Sequence, residues 1–291
     1  MTTANSPSTY PTVAPAPGAI SHDRVVLKLW GDAGSGYVSD EVYVSNEQIH
    51  MMVFSLPPNG RFVHSDRSRT YFSADELYFV LAGSMFLANP ETGEVHLVDQ
   101  GEAIHFGPDV WHHGFNAGPT ELRVLELFAP PPATGTSQAY ARTKPNLEIS
   151  RYVQDQWLEA WPHRAEDARR LDTQRKITSE DSLWRLEGAA GQLPIGIWLS
   201  TPRLTVGMMT LLPGQRSEVV SRGGDLAGYV LEGQLNVHLA DAPAAGQANG
   251  WHQMNEGDGL FIPVSEPHRY FNVTDKPVRM IFGVAPAYLA T

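Results

Sequence analysis

The sequence predicts an all-β protein of two similar barrel or sandwich domains that arose by internal duplication, with a short helical linker segment between them. Two observations predict this fold. One set of sequence segments occurs twice in the same order. Each half also consists of short alternating strands separated by Gly, Pro, Asn and Asp. The 291 residues are 42% hydrophobic, with 26 glycines and 22 prolines, which favours turn-rich β structure with sizeable cores.

The duplication is visible in three pairs of segments. The stretch DELYFVLAGSMFLA from Asp75 matches DLAGYVLEGQLNVH from Asp225, 150 positions later. The stretch GEAIHFGPDVWHHGFN from Gly101 matches GDGLFIPVSEPHRYFN from Gly257, 156 positions later. Upstream, LPPNGRFVH matches LLPGQRSE at an offset of 154. The order is kept while the offset drifts by a few residues, which indicates a duplicated domain with insertions in loops.

Alternating apolar positions predict the strands of each half. The linker differs: 130–146 is rich in proline and small residues, and 148–172 has helical spacing with Val153, Trp157 and Leu158 on one face until Pro162. We expect a loose tail at 1–22, a first barrel at 23–130, a linker with a helix at 131–180 and a second barrel at 181–291. Strands are predicted at 49–56, 76–83, 94–100, 122–129, 204–212, 228–239, 259–264 and 278–284.

Charge and composition exclude several classes of function. The formal charge is −11, with 21 basic and 32 acidic residues, which argues against nucleic acid and anionic membranes as partners. No cysteine is present, so disulfides and thiolate metal sites are excluded. No apolar run approaches the roughly 18 residues of a membrane span, and the N-terminal segment lacks signal-peptide features. We expect a cytoplasmic protein that binds a small-molecule substrate, and a homodimer is compatible with the sequence.

These segments resemble the cupins, specifically bicupins with two jelly-roll barrels. The second cupin motif is G-x5-P-x-G-x2-H-x3-N. The second half follows it through Gly257, Pro263, His268 and Asn272, with Ser265 at the second glycine. The first half keeps Gly101, His112 and Asn116 in register, with Gly107 and Asp109 at the proline and glycine positions.

The first cupin motif, G-x5-H-x-H-x3,4-E-x6-G, is less complete. The first half keeps its E-x6-G part as Glu76 to Gly83, but His64-Ser65-Asp66 stands where the family has H-x-H. In the second half, Glu218 lies opposite His64 and Leu226 opposite Glu76. Because leucine cannot coordinate an ion, we expect the second barrel to hold no catalytic metal.

The resemblance places one divalent metal in the first barrel. Alternate strand residues face the inside of a barrel, so His64 can converge with Glu76 and His112 as a 2-His-1-carboxylate set. Fe(II) is favoured for this set, and Mn(II) and Zn(II) suit similar ligands. Asp66 is either a fourth ligand or a residue that orients His64. His113 should face away from the metal, because Arg269 occupies the corresponding position after His268.

Candidate substrate-binding residues lie around this centre. Arg67 and Arg69 could hold a substrate carboxylate, although a solvated loop is the alternative. Tyr78 and Phe86 are candidates for the pocket wall from strand alternation. His105 and Trp111 are further candidates, whose alternative is a purely structural role.

The resemblance implies an enzyme. Bicupins include dioxygenases that act on aromatic diols or diketones, as well as decarboxylases, isomerases and lyases. From the ligand set we expect an Fe(II) dioxygenase that acts on a small, partly aromatic metabolite. A redox-neutral Mn or Zn isomerase, lyase or decarboxylase is the alternative. A ligand-binding bicupin without catalysis, as in the seed-globulin branch, is the third.

Overall fold

The computed structural model describes residues 12–63, 72–131, 149–153, 159, 173–188, 193–240 and 250–290. In the first half the strands are β1 Gly18–Ile20, β2 Val26–Asp32, β3 Gly36–Ser45, β4 His50–Leu56, β5 Arg61–Phe62, β6 Asp75–Ala82, β7 Ser84–Ala88, β8 Val95–Asp99, β9 Ala103–Phe106, β10 His113–Asn116 and β11 Leu122–Ala129. In the second half they are β12 Gln174–Ile177, β13 Leu183–Glu187, β14 Leu193–Ser200, β15 Thr205–Leu211, β16 Asp225–Glu232, β17 Leu235–Leu239, β18 Trp251–Met254, β19 Gly259–Ile262, β20 His268–Phe271 and β21 Val278–Ala285.

The remaining described elements are single 3-10 turns at His22–Arg24, Arg151–Val153 and Ser179–Asp181. The all-β prediction is therefore confirmed. The predicted linker helix lies largely outside the described residues. In the part of the chain that the structure covers, no helix has the length and apolar character needed to cross a membrane.

Each half forms a two-sheet barrel. In the first, the sheet β12-β9-β6-β11-β4-β3-β2 faces the sheet β5-β10-β7-β8. In the second, the sheet β1-β19-β16-β21-β15-β14-β13 faces the sheet β18-β17-β20. The central strands alternate between two environments, as a strand with both faces covered must. In β6, Tyr78 and Val80 point into the barrel, whereas Leu77 and Phe79 point towards the other barrel.

The two large sheets pack face to face, so the barrels share a core. Two aromatic pairs bridge them: Tyr43 with Tyr229, at 5.8 Å between ring centroids, and Phe79 with Trp198, at 5.3 Å. The duplication relates the two pairs, because Tyr43 of the first barrel corresponds to Trp198 of the second, and Phe79 corresponds to Tyr229. Buried aromatic contacts of this kind hold the halves together as an internal pseudo-dimer.

A reciprocal strand exchange strengthens the same interface. Strand β1 precedes the first barrel but pairs with β19 of the second, through Gly18 opposite Phe261. Strand β12 precedes the second barrel but pairs with β9 of the first, through Gln174 opposite Phe106. Each barrel therefore completes the other's large sheet. A short 3-10 turn then leads each exchanged strand into the first strand of its own barrel.

Corresponding asparagines close the two barrels in the same way. Asn116 Nδ2 donates to the carbonyls of Leu56, at 3.1 Å, and Thr120, at 2.7 Å. Asn272 Nδ2 donates to the carbonyl of Leu211 at 3.1 Å. The motif asparagine is therefore a structural residue, which ties the strand that follows the motif histidine to its neighbours.

We expect Asn116→Ala to lower the free energy of unfolding by about 2 kcal/mol, because it leaves buried carbonyls without their donor. Chemical denaturation monitored by circular dichroism measures this loss. Glu121→Ala, a nearby exposed position, is the control and should change stability by less than about 0.5 kcal/mol. Equal stabilities of the two variants would contradict the structural role.

Candidate functional site

The interior of the first barrel contains a cavity with about 340 Å³ of empty space, its opening to solvent included. Most of its wall is apolar and aromatic, which excludes water and suits the carbon skeleton of a small molecule. Four polar side chains interrupt that wall. The lining residues are Trp30, Val38, Asp40, Met52, Phe54, Phe62, Phe72, Tyr78, His112 and Glu126.

His112 presents its Nε2 lone pair inside this barrel. Its Nδ1 lies 3.2 Å from the carbonyl oxygen of Val110, which can only accept, so Nδ1 carries the proton. Nε2 in turn accepts a hydrogen bond from the Tyr78 hydroxyl at 3.1 Å. Burial lowers the pKa of His112 to about 4, and the bond to Val110 opposes this only in part. The imidazole is therefore neutral near pH 7, in the tautomer that a metal ligand needs.

His113 lies on the other side of the strand. Its side chain is buried, and its Nδ1 is 2.8 Å from the hydroxyl of Tyr152 in the linker. The ring of Tyr152 also packs against Phe115. The two adjacent histidines therefore have different roles. His112 faces the cavity, and His113 is hydrogen-bonded to Tyr152 of the linker.

Two buried carboxyl groups stand next to His112. Glu76 on β6 and Glu126 on β11 are buried on two paired strands, and Tyr78 lies opposite Glu126 in their register. Burial raises the pKa of both carboxyl groups, and for Glu126 the charge of Glu76 adds to the effect. Glu76 Oε1 is buried and has no hydrogen-bond partner among the described residues. Such an oxygen is costly unless a cation or a polar ligand satisfies it.

The second barrel carries no such acids at the equivalent positions. The strand pairing shows which residues of the two interiors correspond. Asp40 lies opposite Phe54 in the first barrel, and Ile195 lies opposite Met209 in the second. The same alignment places apolar residues or threonine where the first barrel has ionisable groups. The equivalent pairs are Asp40 with Ile195, His50 with Thr205, Glu76 with Leu226, and Glu126 with Phe282.

The second barrel does retain its motif histidine. His268 Nδ1 donates to the carbonyl of Glu266 at 2.9 Å, and its Nε2 accepts from the Tyr270 hydroxyl at 3.0 Å. Burial lowers the pKa of His268 to about 4. Near the same end of this barrel, Arg222 and Glu187 form a buried ion pair. The histidine is thus kept as a hydrogen-bonded core residue, and the acid close enough to affect its pKa, Glu187, is paired with Arg222.

The predicted metal ligands are only partly described. Within the described ranges, no three His, Asp or Glu side chains are grouped so that they could hold an ion by themselves. His64 and Asp66 lie outside those ranges, as do Arg67 and Arg69. The residues that are described fit a divalent metal. His112 offers a neutral nitrogen, and Glu76 offers a buried carboxylate oxygen without a hydrogen-bond partner in this part of the chain.

The candidate wall residues separate into two groups. Tyr78 lines the cavity. Phe86 does not, because β7 points Met85 and Leu87 inward and leaves Phe86 41% exposed. His105 lies opposite Leu77 on the side that faces the second barrel, with its Nε2 3.5 Å from Asp75 Oδ1.

Trp111 also lies away from the cavity wall. Its side chain is fully buried, but it is not among the residues that line the cavity. Of the wall candidates predicted from the sequence and described in the structure, Tyr78 is the one that the register places at the cavity. Phe86, His105 and Trp111 correct the expectation from strand alternation.

Three polar residues of this interior were missed in the sequence: Asp40, His50 and Glu126. Each lies on the inward face of a strand whose other inward residues are apolar, such as Met52 on β4. An ionisable residue at an inward position of an otherwise apolar strand was the signal that could have identified them.

The chain matches a known protein family. The cupin domain profile matches the chain twice, at residues 53–128 and 207–284. The chain belongs to the cupin family. As it contains two such domains, it is a bicupin. No curated protein sequence matches this bicupin significantly.

Solved structures share the fold at low sequence identity. AerE from Microcystis aeruginosa is 12% identical, with a TM-score of 0.58 and coverage of 90% of this chain and 97% of AerE. Ylba from E. coli is 10% identical, with a TM-score of 0.61 and coverage of 94% and 93%. A mutant of Bacillus subtilis oxalate decarboxylase OxdC is 14% identical, with a TM-score of 0.60 and coverage of 96% and 79%. Similarity at this level shows the bicupin fold alone.

Proposed function

We propose that the first barrel is the active site of a metal-dependent bicupin enzyme that acts on a small molecule. The observation that carries this proposal is the contrast between the two interiors. Asp40, Glu76 and Glu126 are buried in the first barrel, whereas the second has apolar residues at all three positions. Acids are more costly to bury than apolar side chains, so the concentration of three acids in one of two related interiors indicates a function.

His112 and Glu76 would hold the metal, together with His64 as the third ligand. When bound, a divalent ion would polarise a chelated substrate oxygen as a Lewis acid. The aromatic wall, which includes Trp30 and Phe62, would hold the apolar part of the substrate and exclude water.

We assign the reaction to the redox-neutral class, which includes decarboxylation, lyase reactions and isomerisation. Decarboxylation leaves an electron pair on a substrate carbon that must then be protonated, whereas lyase reactions remove a proton and isomerisations move one from atom to atom. Glu126 and Asp40 line the cavity beside the predicted ligands, and either carboxyl group can deliver or accept a proton there. The solved fold relatives include an oxalate decarboxylase, a protein whose named reaction belongs to this class.

An Fe(II) dioxygenase is the second candidate. The aromatic rings of the cavity wall favour it, since they suit the partly aromatic substrate expected from the sequence. Oxygen dependence separates the two candidates. We expect turnover of small organic acids to be equal with and without O2 and to consume none. Oxygen uptake in proportion to turnover would instead establish the dioxygenase.

Metal content tests the assignment of the site to one barrel. We expect about one equivalent of Mn, Fe or Zn per chain by inductively coupled plasma mass spectrometry. Because Leu226 and Phe282 replace both carboxylates of the first barrel, His268→Ala should leave that content unchanged. Close to two equivalents per chain, one of which is lost in His268→Ala, would show that the second barrel also binds metal.

A further inference from the structure

Strand β6, which carries Glu76, is hydrogen-bonded at its first residue to the second barrel. Thr201 Oγ1, in the turn between β14 and β15, donates to Asp75 Oδ2 at 3.0 Å, and Asp75 is 7% exposed. Among the described residues, Asp75 pairs with Ala129 on β11, whereas the register with β9 begins one residue later, at Glu76 opposite Phe106. The Asp75 side chain therefore supplies a contact at a strand end where the ladder is incomplete.

The duplication provides the reciprocal contact. Asn46, in the turn between β3 and β4, occupies the position of Thr201, and its Nδ2 donates to Asp225 Oδ2 at 2.8 Å. Asp225 is the first residue of β16, just as Asp75 is the first residue of β6. Each barrel thus donates one turn side chain to the start of the corresponding strand in the other barrel.

The two donors also close their own turns in the same way. Asn46 Oδ1 accepts from the backbone N–H groups two and three residues later, at 2.8 and 2.9 Å. Thr201 Oγ1 accepts from the N–H groups two and three residues later, both at 3.1 Å. Replacement of either residue by alanine therefore removes an equivalent set of bonds. The two alanine variants differ chiefly in which strand loses its contact with the other barrel.

The two aspartates differ in the support that they receive from their own barrel. Asp225 Oδ1 accepts from the backbone N–H of Val264 at 2.9 Å. Pro108 occupies the equivalent position in the first barrel and has no N–H to donate. Asp75 Oδ1 instead lies 3.5 Å from His105 Nε2, a distance at which a hydrogen bond is weak. Asp75 therefore depends more on its donor from the second barrel than Asp225 does on its donor from the first.

The residue that follows each aspartate gives the two contacts different consequences. Glu76, a metal-ligand candidate, follows Asp75, whereas Leu226, which cannot coordinate an ion, follows Asp225. Consecutive residues share a planar peptide unit, so a displacement of Asp75 also moves the backbone of Glu76. A metal site needs its ligands within about 0.5 Å of the productive geometry. A contact that fixes the start of β6 therefore affects the site, whereas its counterpart on β16 does not.

We propose that Thr201 of the second barrel is a positioning residue for the metal centre of the first, because its bond to Asp75 fixes the start of β6 and with it the backbone of Glu76. This inference rests on the proposed metal site in the first barrel. It also gives the second barrel a role in the function of the protein. That barrel holds the strand from which one ligand of its partner barrel projects.

Thr201→Ala and Asn46→Ala test the proposal as a matched pair. The measurement is the dissociation constant of Mn(II) and of Zn(II), by isothermal titration calorimetry on the metal-stripped full chain, together with the melting temperature. We expect similar losses of melting temperature in both variants. Thr201→Ala should weaken metal binding by about fivefold, whereas Asn46→Ala should stay within about twofold of the natural chain. Thr201→Ser, which keeps the hydroxyl, should bind the ions as the natural chain does.

Unchanged metal binding by Thr201→Ala would overturn the positioning role. An equal loss in Thr201→Ala and Asn46→Ala would also overturn it, as would a loss that Thr201→Ser does not restore. His112→Ala separates these outcomes from a failure of the proposed function. If His112→Ala binds the ions as well as the natural chain does, the metal site itself is wrongly placed and the inference fails with it. If His112→Ala loses them while Thr201→Ala does not, only the role of Thr201 is refuted.

Discussion

His112→Ala abolishes metal binding and activity together: this is the largest effect that we expect from a single substitution in the cavity. The variant removes the imidazole whose Nε2 faces the barrel interior, and no other described histidine lines that cavity. The expected loss of Mn(II) or Zn(II) affinity is at least about 100-fold, because an ion that loses one of three protein ligands keeps too few to be held tightly. Isothermal titration calorimetry on the metal-stripped chain measures it.

His113→Ala is the matched control, since it removes an equally buried imidazole from the adjacent position. Its bond to Tyr152 links β10 to the linker, so the substitution should lower stability. Metal affinity should stay within about threefold of the natural chain. The opposite pattern, with metal lost in His113→Ala and kept in His112→Ala, would mean that the register of β10 is wrong by one residue.

The orientation of this pair could be predicted from the sequence because the duplication supplied a second copy of the strand. Arg269 follows His268, and an arginine is costly inside an apolar barrel, so the position after the motif histidine had to face outward. The glycine position of the motif shows the same correspondence. Asp109 and Ser265 stand there with φ of 68° and 64°, the left-handed conformation in which a glycine is favoured.

For other strands, the residues that point into the barrel could not be inferred from the preceding strand. Continued alternation from β6 predicts Phe86 at the cavity, but the chain turns at Gly83, with φ of 83°, and in β7 it is Met85 and Leu87 that point inward. For His105 on β9, likewise, alternation alone does not determine which side of the strand points into the barrel. Alternation determines which residues share a face, but the face itself depends on a partner strand that is distant in sequence.

The pairing of β1 and β12 with the opposite barrels could not be predicted from the sequence either, for a different reason. Each strand has three or four residues, too few for a periodic pattern, and each precedes the barrel to which it does not pair. Pairing between distant segments is decided by backbone hydrogen bonds and by the packing of residues such as Ile20 and Ile177 at the shared core. A short segment carries no local signal of that choice.

The second large effect concerns stability and the buried ion pair of the second barrel. Arg222 donates to Glu187 through Nη1, at 3.2 Å, and Nη2, at 2.9 Å, and both side chains are 7% exposed. Tyr288 donates to the same carboxylate at 2.7 Å, and its ring lies 4.2 Å from the guanidinium carbon. Arg222→Met should lower the free energy of unfolding by about 3 kcal/mol, because it leaves Glu187 buried without its main partner.

A double-mutant cycle distinguishes this electrostatic penalty from a loss of packing. Arg222→Met combined with Glu187→Leu removes both charges, and replacement of a whole buried ion pair by apolar groups is often close to neutral. We therefore expect the double variant to recover most of the stability lost by Arg222→Met. A double variant that is less stable than Arg222→Met would show that packing, and not the unpaired charge, causes the loss.

The pH dependence of the loss gives a second test. Burial alone would raise the pKa of Glu187, but the hydrogen bonds and charge of Arg222 and the bond from Tyr288 outweigh it, so the pKa is lowered from 4.5. In the natural chain this pair therefore stabilises the fold above about pH 4.5, and the contribution is lost as the pH falls through the lowered pKa. In Arg222→Met, burial dominates and raises the pKa of Glu187, so the variant loses stability as the pH rises above about 4.5. The difference between the two proteins should thus grow from pH 3.5 to pH 7 in urea denaturation. A difference that is independent of pH would mean that the charge of Glu187 does not cause it.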